Sequence, residues 1–154
     1  MRVAIDIANG FSPAERAWFI KSAIEGFARG CLPAFRRWGL PPIFQSGVRF
    51  KLPREHGSGL ELMRTPLDTY HDGEGDCDRL LVWWLCEQWA SGLPASCTAY
   101  FLGGNIHVAG RQSWDDRGPV VDPAVICGAS VPAGWPPRVP LVRGFQAPLI
   151  RGFP

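Results

Sequence analysis

One cysteine stands where a reactive thiolate would be expected. The glycine-rich residues 73–78 read Gly-Glu-Gly-Asp-Cys-Asp, and Cys77 falls at the start of a predicted helix. The unsatisfied N–H groups at a helix start stabilise a thiolate and lower a thiol pKa from its usual value of about 8.5. The flanking Asp76 and Asp78 are expected to cap the helix. Cys77 is therefore the predicted nucleophile.

A nucleophilic thiol needs a base, and the base needs a group that orients it. Of the three histidines, His56, His71 and His107, only His107 begins a predicted strand, residues 106–109. Asp122 ends the next predicted strand, residues 119–122, so a hairpin would set the two side chains together at one rim. We predict His107 as base and Asp122 as orienter. The acidic pair 115–116 in the connecting loop is the alternative orienter.

The same residues also have simpler interpretations. Cys77 could be an inert core thiol, His107 a structural histidine, and Asp122 the first residue of an Asp-Pro turn with Pro123. A metal site made of Cys77, His71 and a neighbouring aspartate, Asp72 or Asp76, would lack the paired spacing of known sites. We predict no metal and no cofactor.

Composition favours one soluble globular domain. The chain has 154 residues, is 46% hydrophobic and 19% charged, and carries a formal net charge of +2. These values argue against disorder and against nucleic-acid binding. No apolar run is long enough for a membrane span, and residues 1–10 lack the features of a signal peptide. The odd set of five cysteines shows no CxxC pair, so we expect four small core residues and at least one free thiol.

Periodicity and turn residues indicate a mixed α+β domain with a helix that begins at Cys77. That helix is expected to run to about residue 91 and to be buried on nearly all sides, with Trp83, Trp84 and Trp89 in the core. Another helix is predicted to start at Ser12-Pro13 and to stop at Gly30. The other predicted elements are a strand at 3–7, a short helix at 34–38, a strand at 48–52, a helix from Thr65-Pro66, and strands at 97–102, 106–109 and 119–122.

The order and spacing of these features, over about residues 48–128, resemble the transglutaminase-like (papain-like) cysteine hydrolase superfamily, in particular its short phage- and prophage-encoded proteins. The matching features are the Gly-Asp-Cys-Asp helix start, the residues 91–95 that lead into a strand, His107-Val108, and Val121-Asp122-Pro123. The resemblance implies that Cys77, His107 and Asp122 form a catalytic triad. It also implies a papain-like core, with the nucleophile helix packed on a small antiparallel sheet, and a thioester acyl-enzyme.

Residues 131–154 form the second predicted region, after a domain at 1–130. They are rich in proline and glycine, which favours an extended arm, and two six-residue segments, 140–145 and 148–153, are near repeats. We expect the arm to bind other phage structural proteins or a symmetric homo-oligomer. Its predicted partner-binding residues are Trp135, Leu141, Arg143, Phe145, Leu149, Arg151 and Phe153.

The expected function is that of a phage-associated cysteine peptidase or amidase, located in the virion or the host cytoplasm and acting on a protein or peptide. The alternative is a non-catalytic assembly protein of a phage head or tail that keeps the enzyme fold and binds through its arm.

Overall fold

The computed structural model describes residues 2–6, 11–52, 60–102, 105–115 and 117–130. These residues form a mixed α+β structure with four α-helices and small sheets, which confirms the predicted α+β class. The helices are α1 (Pro13–Trp38), α2 (Pro66–Asp72), α3 (Cys77–Ala90) and α4 (Pro123–Ile126), and a short 3₁₀ helix covers Ile43–Gln45. The strands are β1 (Arg2–Asp6), β2 (Arg49–Phe50), β3 (Leu60–Arg64), β4 (Glu74–Gly75), β5 (Ser96–Leu102), β6 (Asn105–Arg111) and β7 (Val120–Val121).

Helix α1 begins as predicted but does not stop at Gly30. The two short helices expected at 13–30 and 34–38 are one continuous helix, which ends at Gly39 with φ 61°. The predicted break was wrong because an apolar face continues through the region, with Ile24, Phe27 and Cys31 buried. Packing of that face against the core outweighs the backbone hydrogen bond that Pro33 removes.

Helix α3 is the centre of the domain, as its apolar sequence predicts. All residues from Leu80 to Cys86 are buried, together with Trp89. The helix packs against α1 on one side and against β6 on another. The Sγ of Cys86 donates to the carbonyl of Ala28 in α1 at 3.4 Å. An element enclosed in this way fixes the position of whatever lies at its first residue.

The largest sheet is antiparallel, in the order β5-β6-β7. The β5–β6 register pairs Tyr100 with His107, and the β6–β7 register pairs Gly110 with Val121. Two smaller pairs complete the described strands: β1 with β3, antiparallel, and β2 with β4, parallel. The three strands predicted after α3 are confirmed, whereas β3, β4 and α4 were not predicted.

Several predictions fall outside the described residues. These are the loop at 53–59, the turn at 103–104, His56, and the extended arm at 131–154. The proposed partner-binding residues lie in the same arm: Trp135, Leu141, Arg143, Phe145, Leu149, Arg151 and Phe153. The division of the chain at residue 130 stays a prediction. Among the helices that the structure describes, none combines the length and the apolar character required to cross a membrane.

The capping box at the start of α1 gives a first testable prediction. The Ser12 hydroxyl accepts from the Glu15 N–H at 3.3 Å, and the Glu15 carboxylate accepts from the Ser12 N–H at 2.7 Å. Ser12→Ala should therefore lower the free energy of unfolding by about 1 kcal/mol, as loss of a cap does elsewhere. Urea unfolding measures the change. A loss below about 0.3 kcal/mol would show that this helix end frays independently of the cap.

Candidate active site

Cys77 is the first residue of α3, directly after its cap. The Asp76 side chain caps the helix by accepting from the Arg79 N–H at 3.1 Å. Asp78, in the first turn of the helix, is buried, and its Oδ1 accepts from the Cys77 thiol at a sulfur–oxygen distance of 3.5 Å. Cys77 itself is half-buried. The thiol therefore lies at the positive end of the central helix, in contact with a carboxylate.

A network of charged side chains holds this helix start. Asp72, at the end of α2, accepts from Nη1 of Arg64 at 2.7 Å and lies 3.7 Å from Nη1 of Arg79. The Nε of Arg79 lies 3.9 Å from Oδ2 of Asp76, the capping residue. The network links β3, α2 and α3. Sequence reasoning missed Arg64 and Arg79, although the three-residue spacing of Asp76 and Arg79 at a helix start was a usable signal.

His107 and Asp122 are in direct contact. Nε2 of the imidazole lies 2.8 Å from Oδ2 of the carboxylate, and both side chains are buried. The other carboxylate oxygen, Oδ1, accepts from the Val125 N–H at 3.2 Å and caps α4. Asp122 thus both contacts the histidine and starts a helix, and its own position is fixed by the cap. The Asp-Pro turn considered from the sequence is this helix start.

Strand register accounts for the contact. Because Gly110 pairs with Val121, Asp122 follows opposite Ala109, one pleat away from His107 on the same face of the sheet. Tyr100 is the cross-strand neighbour of His107 on that face. The Tyr100 hydroxyl accepts from Nη2 of Arg111 at 3.4 Å. The histidine therefore lies within a buried polar strip of the sheet.

Helix α3 packs on β6 through Trp84. Trp84 of α3 packs against Gly110 of β6, and further along, Trp89 stacks on Trp114 with ring centroids 6.5 Å apart. The pleat turns His107 away from the face that Gly110 presents to Trp84. A contact between Cys77 and His107 would therefore have to form around an edge of the sheet.

Strand β2 connects the two halves of this region. The Lys51 N–H donates to the carbonyl of Gly75, two residues before Cys77, at 2.9 Å. The Phe50 N–H donates to the carbonyl of Cys127, at the end of α4, also at 2.9 Å. Because Asp122 caps α4, β2 lies between the residues that precede Cys77 and the helix that follows Asp122.

Two of the alternative residues, Asp115 and His71, are exposed, and Asp116 lies outside the described residues. Asp115 accepts from the Arg117 N–H at 3.0 Å, in a loop beyond the sheet. Within the described residues, no group of three or more His, Cys, Asp or Glu side chains is arranged to hold a metal ion.

The other thiols have a different environment from Cys77. Cys31, Cys86 and Cys97 are buried, and Cys127 is half-buried, so three cysteines and not the expected four belong to the buried core. Burial raises the pKa of Cys31 to about 11 and raises the pKa of Cys86 further. Burial, followed by the nearby charge of Asp122, also raises the pKa of Cys127.

The structure thus brings His107 and Asp122 into contact and puts Cys77 at the first residue of α3, the helix that packs on β6. Compared with known proteins, the chain matches no protein-family model, no curated protein and no solved structure.

Proposed function

We propose that this protein is a cysteine acyl-transfer enzyme, a peptidase or amidase, with Cys77 as nucleophile, His107 as base and Asp122 as orienting acid. The observation that carries the proposal is the buried 2.8 Å contact between His107 and Asp122, together with the position of Cys77 at the first residue of the central helix. A buried carboxylate beside an imidazole fixes the orientation of the ring and stabilises the imidazolium that forms in the reaction.

The proposed reaction follows from which ring nitrogen contacts the acid. Asp122 engages Nε2, so Nδ1 is the nitrogen assigned to the thiol proton. The Cys77 sulfur attacks the carbonyl carbon of an amide as its proton moves to His107, and the amine leaves with that proton. The resulting thioester is cleaved by water, which His107 deprotonates. N–H groups at the start of α3 are the proposed donors to the oxyanion.

The papain-like architecture belongs to the same proposal. Its support is the arrangement of a central helix with a cysteine at its first residue, followed in the chain by an antiparallel sheet that carries the histidine and leads to the acid. The phage association, the location in the virion or host cytoplasm, and a protein or peptide substrate are proposals that rest on the sequence resemblance.

Thiol labelling of the folded protein tests the proposal. At pH 7, iodoacetamide should modify Cys77 and leave Cys31, Cys86 and Cys127 unmodified, as determined by peptide mass mapping. With a pKa of about 11, only about one Cys31 thiol in ten thousand is ionised at pH 7. Cys77, by contrast, is half-buried at a helix start, the environment that favours a thiolate.

Labelling in denaturant provides the control, since all five cysteines should then react. If Cys77 stays unmodified in the folded protein, or reacts no faster than Cys127, the proposed nucleophile is wrong. The non-catalytic assembly role would then be the better account of the fold.

A further inference from the structure

A groove beside α4 is not used by the catalytic proposal. Its volume is about 420 Å³, and it is lined by the 3₁₀ helix, the start of β2 and the end of α4. The apolar lining includes Ile43, Phe44, Val48 and Ile126. Phe44 is 45% exposed and Ile126 is 54% exposed. Two large apolar side chains are thus open to water at the walls of one concave surface.

The charge of the groove is one-sided. Among the described residues that line the groove, Arg49 is the only charged one, and it is exposed. Within the described part of the chain, no carboxylate forms an ion pair with Arg49, although Lys51, two residues later, is paired with Glu74 at 2.8 Å. An apolar surface with a cation at its rim is complementary to an apolar group that carries a carboxylate.

Strand β2 links the groove to the candidate active site. Cys127 lines it, and the Cys127 carbonyl accepts from β2, whose other neighbour is the β4 strand that precedes Cys77. Two strand spacings of about 4.8 Å separate Gly75 from Cys127, so the groove lies on the order of 10–15 Å from the thiol. An extended peptide spans that distance in about three to four residues, at about 3.3 Å per residue.

We propose that the groove is a substrate subsite. It would bind a large apolar side chain flanked by a carboxylate, about three to four residues from the bond that Cys77 attacks. The inference rests on the proposed function and adds to it a substrate class: peptides with an apolar residue beside a free carboxylate, on the leaving-group side of that bond.

Chloroacetyl peptides of graded length test the spacing. The Cys77 sulfur displaces chloride from the CH₂ carbon of the chloroacetyl group and forms a thioether. The peptides in the series place phenylalanine one to six residues from that group. The alkylation rate of Cys77 should peak when phenylalanine is about three to four residues away, by at least about tenfold over the shortest member. Phe44→Ala should flatten the peak and leave the rate with iodoacetamide unchanged.

Phe19→Ala is the matched control. Phe19 is 41% exposed, a fraction close to that of Phe44. It stacks on Phe11 at the start of α1 and does not line the groove. This variant should keep the peak. If the wild-type protein shows no dependence on length although iodoacetamide reacts normally, the subsite is refuted while the nucleophile stands. If the peak persists in Phe44→Ala, this groove is not the surface that binds the peptide.

Unreactive peptides test the groove without the chemistry. Acetyl-Ala-Ala-Phe should shift the ¹⁵N-resolved amide signals of residues 43–49 and 126–128 in a saturable manner. Its C-terminal amide should bind several-fold more weakly, and Arg49→Gln should remove that difference. Acetyl-Ala-Ala-Phe-Asp-amide carries its only carboxylate on the Asp side chain. Comparing its binding with that of acetyl-Ala-Ala-Phe shows whether the groove binds an acidic side chain or a chain terminus. If Cys77 proves unreactive, this titration alone decides on the groove, and no shifts at these residues would refute it.

Discussion

Gly110→Ala should destabilise the protein by about 2–3 kcal/mol, the cost expected when a methyl group is forced into a tightly packed core. A Cβ at this position would lie 2.6 Å from Cε3 and 2.8 Å from Cη2 of the buried Trp84 ring. The ring has little room to move, because Trp84 is 2% exposed and lies in the stretch of α3 from Leu80 to Cys86 that is buried throughout. Thermal unfolding should show the midpoint falling by roughly 6–10 °C for a domain of this size.

Gly30→Ala makes the same chemical change where there is space. A Cβ at Gly30 meets nothing within 4 Å, and the residue is an exposed position inside α1. This variant should gain about 0.5–1 kcal/mol, because alanine is the better helix former. Equal midpoints for the two variants would mean that the contact between Trp84 and β6 does not hold the helix on the sheet.

Cys77→Ala should abolish hydrolysis of protein and peptide substrates while the fold stays intact. Loss of the nucleophile removes the covalent step, whereas a half-buried side chain at the start of a helix contributes little to packing. The measurement is release of short peptides from a mixture of denatured proteins, followed by mass spectrometry. Cys86→Ala is the control: it should retain activity and lose stability, because Cys86 is buried within the core.

The role of the base can be separated from general structural damage. His107→Ala should lower the alkylation rate of Cys77 at pH 7 by about 10²-fold, in the range that general-base catalysis contributes. Near pH 10 the rates of wild type and variant should converge, since the thiol then ionises without help. A variant that is equally slow at both pH values would show that His107 supports the packing of the site and does not take the proton.

Local signals in the sequence were enough to predict most helix ends. Ser12-Pro13, Thr65-Pro66 and the cap at Asp76 all start helices as expected. Each relies on a side chain that bonds to a backbone N–H group only three residues away. Such contacts depend on neighbouring residues and hardly at all on the rest of the fold.

Elements that depend on distant partners were missed or mispredicted. Strand β2 is shorter than the strand predicted at 48–52, and β4 was not predicted; each is two residues long and exists because the two pair across 25 residues of chain. The continuation of α1 past Gly30 depends on packing against α3. In both cases a tertiary contact overrides the local propensity.

The candidate site divides in the same way. The position of Cys77 at a helix start could be predicted from the local sequence. The sequence predicted the hairpin that brings His107 and Asp122 together, but not the strand register on which their contact depends. The Arg64–Asp72–Arg79 network could not be predicted, because it joins three elements whose relative placement no local pattern reveals.

The short strand β2 has a consequence for how the site comes together during folding. It supplies backbone hydrogen bonds to residue 75 on one side and to residue 127 on the other, and so closes loops of about 25 and 77 residues. The α3 helix and the β5–β6 hairpin rely on contacts between near neighbours in the chain and can form without it. Contacts of high sequence separation form late, because the entropy of loop closure is lost before they stabilise anything. When α3 and the β5–β6 hairpin have formed, β2 would therefore not yet link the residues before Cys77 to the residues after Asp122.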